Sequence, residues 1–206
     1  TDLQDRLAVQ LDPLTPEQGR RIESHAARSV DQLQQMGVED TLWLEAVLYH
    51  RNHTPGPLAP RSDGKRLGRL IQRADMFGAR LAPRASRAAG SPASAMQTCY
   101  FDENRQIDEA GAALIKAVGI YSPGTYVRLT NGETAVVVRR GVNSTTPKVA
   151  VLINRQGMAT GMPMVRDTSQ PEFRIASGLR YQDIKVNHSL ERLLLLTKSS
   201  PTDRAF

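Results

Sequence analysis

Apolar positions follow a helical period through the first half of the chain and an alternating period in the second. Ile22, Ala26, Val30 and Leu33 fall three or four residues apart, the spacing that returns side chains to one helix face. Ahead of them, Thr15-Pro16-Glu17-Gln18 has the form of a capping box, with Thr15 at the N-cap and Gln18 reaching back. Gly37 supplies a stop. These features predict a first helix from Pro16 towards Gly37. A second is predicted from Thr41 to about His50, capped by Asp40, and a third from Gly64 to Leu81 with Leu67, Ile71, Ala74 and Gly78 on one side. Pro55, Gly56, Pro57 and Pro60 make His53 to Asp63 a loop. Ser91 to Tyr100 and Asp108 to Val118 read as shorter helices.

The period changes at Tyr121-Ser122-Pro123-Gly124. Tyr126 to Thr130 alternates, Asn131-Gly132 has the form of a two-residue hairpin, and Thr134 to Arg139 is β-branched and apolar. Lys148 to Asn154 gives a third strand ahead of a turn at Arg155-Gln156-Gly157, with short strands at Arg174 to Ile175 and Asp183 to Val186. The reading is α+β: a mostly helical domain over residues 1–120, a small antiparallel β module over 121–186, and a helical turn and frayed tail over 187–206.

Composition narrows the function. The chain has 206 residues, enough to bury a core, and a formal charge of +6. No apolar run approaches the roughly 18–20 residues that span a bilayer, and a single cysteine, Cys99, excludes an internal disulfide framework and fits a reducing cytoplasm. Arg61, Lys65, Arg66, Arg69, Arg73, Arg80 and Arg84 concentrate the positive charge, opposed locally by Asp63 and Asp75. Such a stretch is either a solvated basic helix or a phosphate-attracting surface. Aromatic residues are not interleaved with it, which disfavours single-stranded nucleic acid.

Three metal-ligand types sit on apolar helix faces: His25 three residues after Ile22, His50 four after Ala46, and Asp75 four after Ile71. Two imidazoles and a carboxylate form a partial set for a hydrolytic metal site. Each alone also reads as a core histidine, or as a carboxylate paired with Arg73 or Arg80. Arg51 follows His50 directly, and a guanidinium has no lone pair to give a metal. Pro55 and Pro57 oppose a helical continuation that would bring His53 into the set. His188 reads as a surface residue and Cys99 as a small buried hydrophobe.

Leu14 to His25, Trp43 to His50, Ala74 to Arg80 and above all Ala113 to Glu133 resemble the HD-GYP family, over roughly Leu3 to Leu152. The family is a branch of the HD metal-dependent phosphohydrolases, whose active members hydrolyse cyclic di-GMP at a cluster of two or three metals in a helical bundle. The resemblance implies that His25, His50 and Asp75 match family metal ligands. It also implies departures. Arg51 stands for the second of two paired histidines, Asn52 for a glutamate, and His53-Thr54-Pro55-Gly56-Pro57 for the glycine-tyrosine-proline signature. The family's His-Asp doublet would precede Thr1.

The expectation is therefore a degenerate, non-catalytic HD-GYP-like signalling domain. Arg51 would pair with Asp75 in place of a lost metal, and Arg51, Arg80 and Arg84 would contact phosphates. Cyclic di-GMP or a signalling protein such as a GGDEF-domain protein would be the partner. No cofactor is expected of the set as it stands. The alternative is an active phosphodiesterase using iron or manganese, with its remaining ligands upstream. A nucleic-acid-binding module, resting on charge alone, ranks below both.

Overall fold

The computed structural model describes residues 2–82, 84–86, 90–180, 183–184 and 186–198. The chain is α+β, and its contacts divide it into two compact units, Thr1–Gly90 with Ser94–Leu114 and Ser91–Ala93 with Ile115–Phe206.

The first unit is helical. A short helix, α1 (Asp2–Val9), precedes the capping box, which is present as predicted: Gln18 N–H donates to Thr15 Oγ1 at 3.2 Å and Thr15 N–H to Gln18 Oε1 at 2.9 Å. The single helix expected from Pro16 is two, α2 (Pro16–Glu23) and α3 (His25–Gln35). Ser24 lies at the break, its hydroxyl donating to the Arg20 carbonyl at 2.8 Å, a local bond that competes with regular helix. Gly37 ends α3 at φ 84°, where a side chain would be strained. Asp40 caps α4 (Thr41–Tyr49) by accepting from Trp43 N–H, and Ser62 caps α5 (Asp63–Leu81).

α5 does not bury the face predicted for it. Leu67, Leu70 and Ile71 are exposed, whereas Gly64, Gly68, Arg69, Gln72 and Arg73 are buried. α4 packs on that second face. A Cβ at Gly68 would lie 3.1–3.2 Å from Tyr49 and the Ala46 carbonyl, so the missing side chain sets the approach. α6 (Pro92–Tyr100) and α7 (Glu109–Val118) follow. They close similarly on a glycine, since a Cβ at Gly111 would collide with the Cys99 carbonyl.

The second unit is a five-stranded antiparallel sheet in the order β4-β3-β2-β1-β5, built from β1 (Tyr126–Leu129), β2 (Thr134–Arg139), β3 (Lys148–Ile153), β4 (Ala159–Asp167) and β5 (Ile175–Leu179). Alternate side chains of the central strands form two clusters. Val127, Leu129, Ala135, Val137, Val149 and Phe173 occupy one face. Val136, Val138, Ala150 and Leu152 occupy the other, under Leu193 of α8 (Leu190–Thr197).

The β1–β2 turn differs from the two-residue form. Gly132 N–H bonds the Leu129 carbonyl at 3.0 Å, and of Asn131 and Gly132 only the glycine has positive φ, 88°. A type I′ turn needs positive φ at both and a type II′ turn at the first, so this is a three-residue loop, Thr130 to Gly132, ending in a left-handed glycine. β4, nine residues long, was not predicted. Of the strand expected over Asp183 to Val186, residues 183, 184 and 186 are not in strand, and Lys185 lies outside the described residues. The tail expected to fray after Lys198 also lies outside them.

Candidate functional site

α3 and α4 bring His25 and His50 together. Their Nε2 atoms are 3.0 Å apart and the rings meet edge-on at 5.0 Å between centroids. His25 Nδ1 lies 2.5 Å from the Ile22 carbonyl and His50 Nδ1 2.6 Å from the Val47 carbonyl. A carbonyl only accepts, so each Nδ1 carries a hydrogen and each Nε2 turns a lone pair towards the other. Two such lone pairs repel at this distance unless a proton or a cation lies between them. Two imidazole nitrogens bound to one cation at about 2.0–2.1 Å would lie about 3 Å apart. The pair therefore has the geometry of two nitrogens sharing a proton, and equally that of two ligands of a single ion.

Asp75 does not complete the set. Its side chain is 60% exposed rather than buried, because α5 turns its Ile71 side outward. Its carboxylate faces the Arg51 guanidinium at 3.9 Å, not Arg73 or Arg80. Among the described residues no group of three His, Cys, Asp or Glu side chains is placed to hold a metal. A cluster of two or three metals needs several imidazoles and a bridging carboxylate. The donors present fit one ion, not that cluster.

The remaining predicted residues are dispersed. Arg84 lines a cavity of about 300 Å³ with Leu7, Gln10, Asp12 and Leu14, which neither Arg51 nor Arg80 lines. Arg80 is in the last turn of α5, where its carbonyl accepts from Gly90 N–H. His53 Nδ1 lies 3.5 Å from Glu103. Cys99 is fully buried, with its thiol on the Arg73 carbonyl at 3.4 Å, and burial pushes that thiol up. His188 is half-buried rather than on the surface. It meets the Tyr126 hydroxyl at 3.0 Å.

The largest departure is the basic stretch itself. Arg69 and Arg73, read as members of a solvated or phosphate-facing surface, are each 1% exposed. Arg69 grips Asp108 through Nε at 2.9 Å and Glu103 through Nη1 and Nη2 at 3.0 and 2.7 Å. Arg73 donates to the same Asp108 oxygen at 3.0 Å. Asp108 in turn accepts from Gly111 N–H at the start of α7, and Glu103 is presented by a turn closed by Asp102 and a left-handed Arg105. Burial pushes both carboxyls up, but hydrogen bonds from Arg69 to Glu103, and from Arg73, Gly111 N–H and Arg69 to Asp108, with the charge of the arginines, outweigh it and hold them below the ordinary carboxylate range. This is an internal ionic core. The visible signal for it was Gly64 and Gly68, four residues apart on the same side as Gln72, which mark a tightly packed face.

Two further arginines shape the loop before α5. Arg61 Nη2 donates to the carbonyls of Thr54, Pro55 and Gly56, and Nε to that of Pro57, at 2.8–3.2 Å. Arg66 takes the carbonyls of Leu58 and Ala59. Prolines 55, 57 and 60 supply no N–H, so the guanidinium groups provide the donors the loop lacks.

No described helix is long and apolar enough to cross a membrane. Compared with models of protein families, with curated proteins and with solved structures, the chain shows no match.

Proposed function

We propose that the chain is a degenerate HD-GYP-like domain that works without catalysis, as a cytoplasmic receptor or interaction module in cyclic di-GMP signalling. A GGDEF-domain protein is a fitting partner class for such a module. The observation that carries this reading is the Arg51–Asp75 ion pair. The carboxylate that the resemblance assigns to a metal faces a permanent cation, and that cation stands in place of a ligand histidine. A hydrolytic cluster needs the reverse, negative ligands around a metal-bound hydroxide. The test is metal analysis of the full chain together with cyclic di-GMP binding and hydrolysis assays. Cyclic di-GMP binding without turnover, at sub-stoichiometric metal, supports the reading. Turnover with stoichiometric iron or manganese would overturn it.

The convergent imidazoles favour a second reading. Two lone pairs held 3.0 Å apart suit half of a metal site, and ligands supplied from upstream of Thr1 would complete a working phosphodiesterase. The same metal analysis, repeated on a chain extended at its N-terminus, separates the two.

A further inference from the structure

Between the end of α4, the loop that follows it and the first turns of α5 lies a cavity of about 210 Å³ lined by Tyr49, Asn52, Thr54, Arg61, Lys65 and Arg69. Among the described residues no carboxylate lines it. Arg69 is already neutralised by Glu103 and Asp108, shared with Arg73, so the two arginines and two carboxylates balance. Arg61 and Lys65 are not balanced. Among the described residues neither has a carboxylate partner, and the Lys65 ammonium sits 4.7 Å over the Tyr49 ring.

The hydrogen-bond inventory has the same sign. Thr54 donates its N–H and its hydroxyl to Asn52 Oδ1, at 2.9 and 2.5 Å. A backbone N–H can only donate, which fixes that atom as oxygen and leaves both Nδ2 hydrogens of Asn52 unspent. Lys65 Nζ and Arg61 Nη1 likewise have no acceptor among the described residues. Two uncompensated cations and a surplus of donors describe a receptor for a compact anion rich in acceptor oxygens.

We propose that this cavity binds a phosphoryl group, either as inorganic phosphate or as the phosphate-monoester end of a small molecule. Lys65 supplies the charge and Asn52 the directional donors. The size argues for that class over a dinucleotide, because about 210 Å³ falls below the roughly 300–1,000 Å³ of sites that enclose drug-sized ligands. The site shares no residue with the His25–His50 pair or with Arg51–Asp75. It stands or falls separately from the function proposed above.

The test is titration of the full chain with inorganic phosphate and with phenyl phosphate at fixed ionic strength, by calorimetry and by amide chemical shifts. Saturable binding is expected, with shifts centred on residues 49–69. Lys65→Gln and Asn52→Ala should each weaken it by about tenfold, the loss of one charge-assisted contact. Arg84→Gln, in a different cavity, should change it less than about twofold. Tighter binding of phenyl phosphate identifies a monoester end; equal affinity identifies the bare anion. Circular dichroism checks that each variant folds, and the change at exposed Asn52 leaves the test decisive should Lys65→Gln lose structure. Non-saturable binding, equal weakening by Arg84→Gln, or indifference to both site variants would overturn the proposal.

Discussion

In the helical unit two buried guanidinium groups meet a buried carboxylate, Asp108, and a partly exposed one, Glu103; the two clusters of the sheet unit are hydrocarbon. Both arrangements remove large side chains from water, by different physics. Hydrocarbon burial is non-directional and scales with area, so the sheet core gains from each methyl group it hides. The ionic core sets desolvation against charge pairing. Arg69 and Arg73 are tolerable there only while Asp108 and Glu103 remain ionised and in place. One core degrades gradually when trimmed, whereas the other depends on its members being present together.

The sharpest way to break this contrast is Asp108→Ala. It removes the oxygen shared by both arginines and the cap of Gly111, and should cost the helical unit about 3–5 kcal/mol. Trp43, the sole tryptophan, lies in α4 and reports that unit's unfolding in urea. Amides of β2 and β3 should keep their exchange protection. Equal loss in both units would show that the two cores are not separable.

Acid should reproduce part of that loss. Asp108 and Glu103 have lowered values in the fold, so their contribution is complete above the unfolded-state range near pH 4 and fades as pH falls through the folded values. The Trp43 midpoint in urea is expected to decline below about pH 4. That decline should flatten in Asp108→Asn, which has one fewer carboxylate to protonate. A decline of unchanged steepness would assign the acid sensitivity to other groups.

In the sheet, Val137→Ala should cost about 2 kcal/mol from lost methyl burial and the cavity left behind. Valine carries no titrating group, so that cost should be the same at pH 4 and pH 7. At the small end, Ile71→Lys on the outer face of α5 should change stability by less than about 0.5 kcal/mol. A large loss there would mean that the face predicted from the sequence is covered after all.

Local rules made much of the fold legible. The Thr15–Gln18 box, the Asp40 cap and the Gly37 stop rest on contacts within a few residues, the strands over 126–153 on the alternation and β-branching along each segment, and each is present. Where the outcome depended on a partner far along the chain, the sequence misled. The aliphatic stripe of α5 satisfies a helical period as well as the Gly64, Gly68, Gln72 and Arg73 side does. What selects the second is Glu103 and Asp108, 34 to 39 residues away from Arg69. The candidate site divides the same way. His25, His50 and the Arg51–Asp75 pairing follow from helix spacing and resemblance, whereas the Lys65–Asn52 cavity exists because a loop folds back under Arg61, which no period announces.

That folded loop has a consequence for how the chain tolerates change. Arg61 and Arg66 hold backbone carbonyls, and every amino acid has a carbonyl to offer. Replacements at Thr54 or Leu58 leave the atoms being held in place, so outside Gly56, held at φ 102°, the segment's spelling is free while its path is not. Most of the constraint has moved off the loop and onto two residues beyond it. A saturation-mutagenesis map read out by folding should show 54, 55 and 57–59 as permissive, with sharp intolerance at 56, 61 and 66.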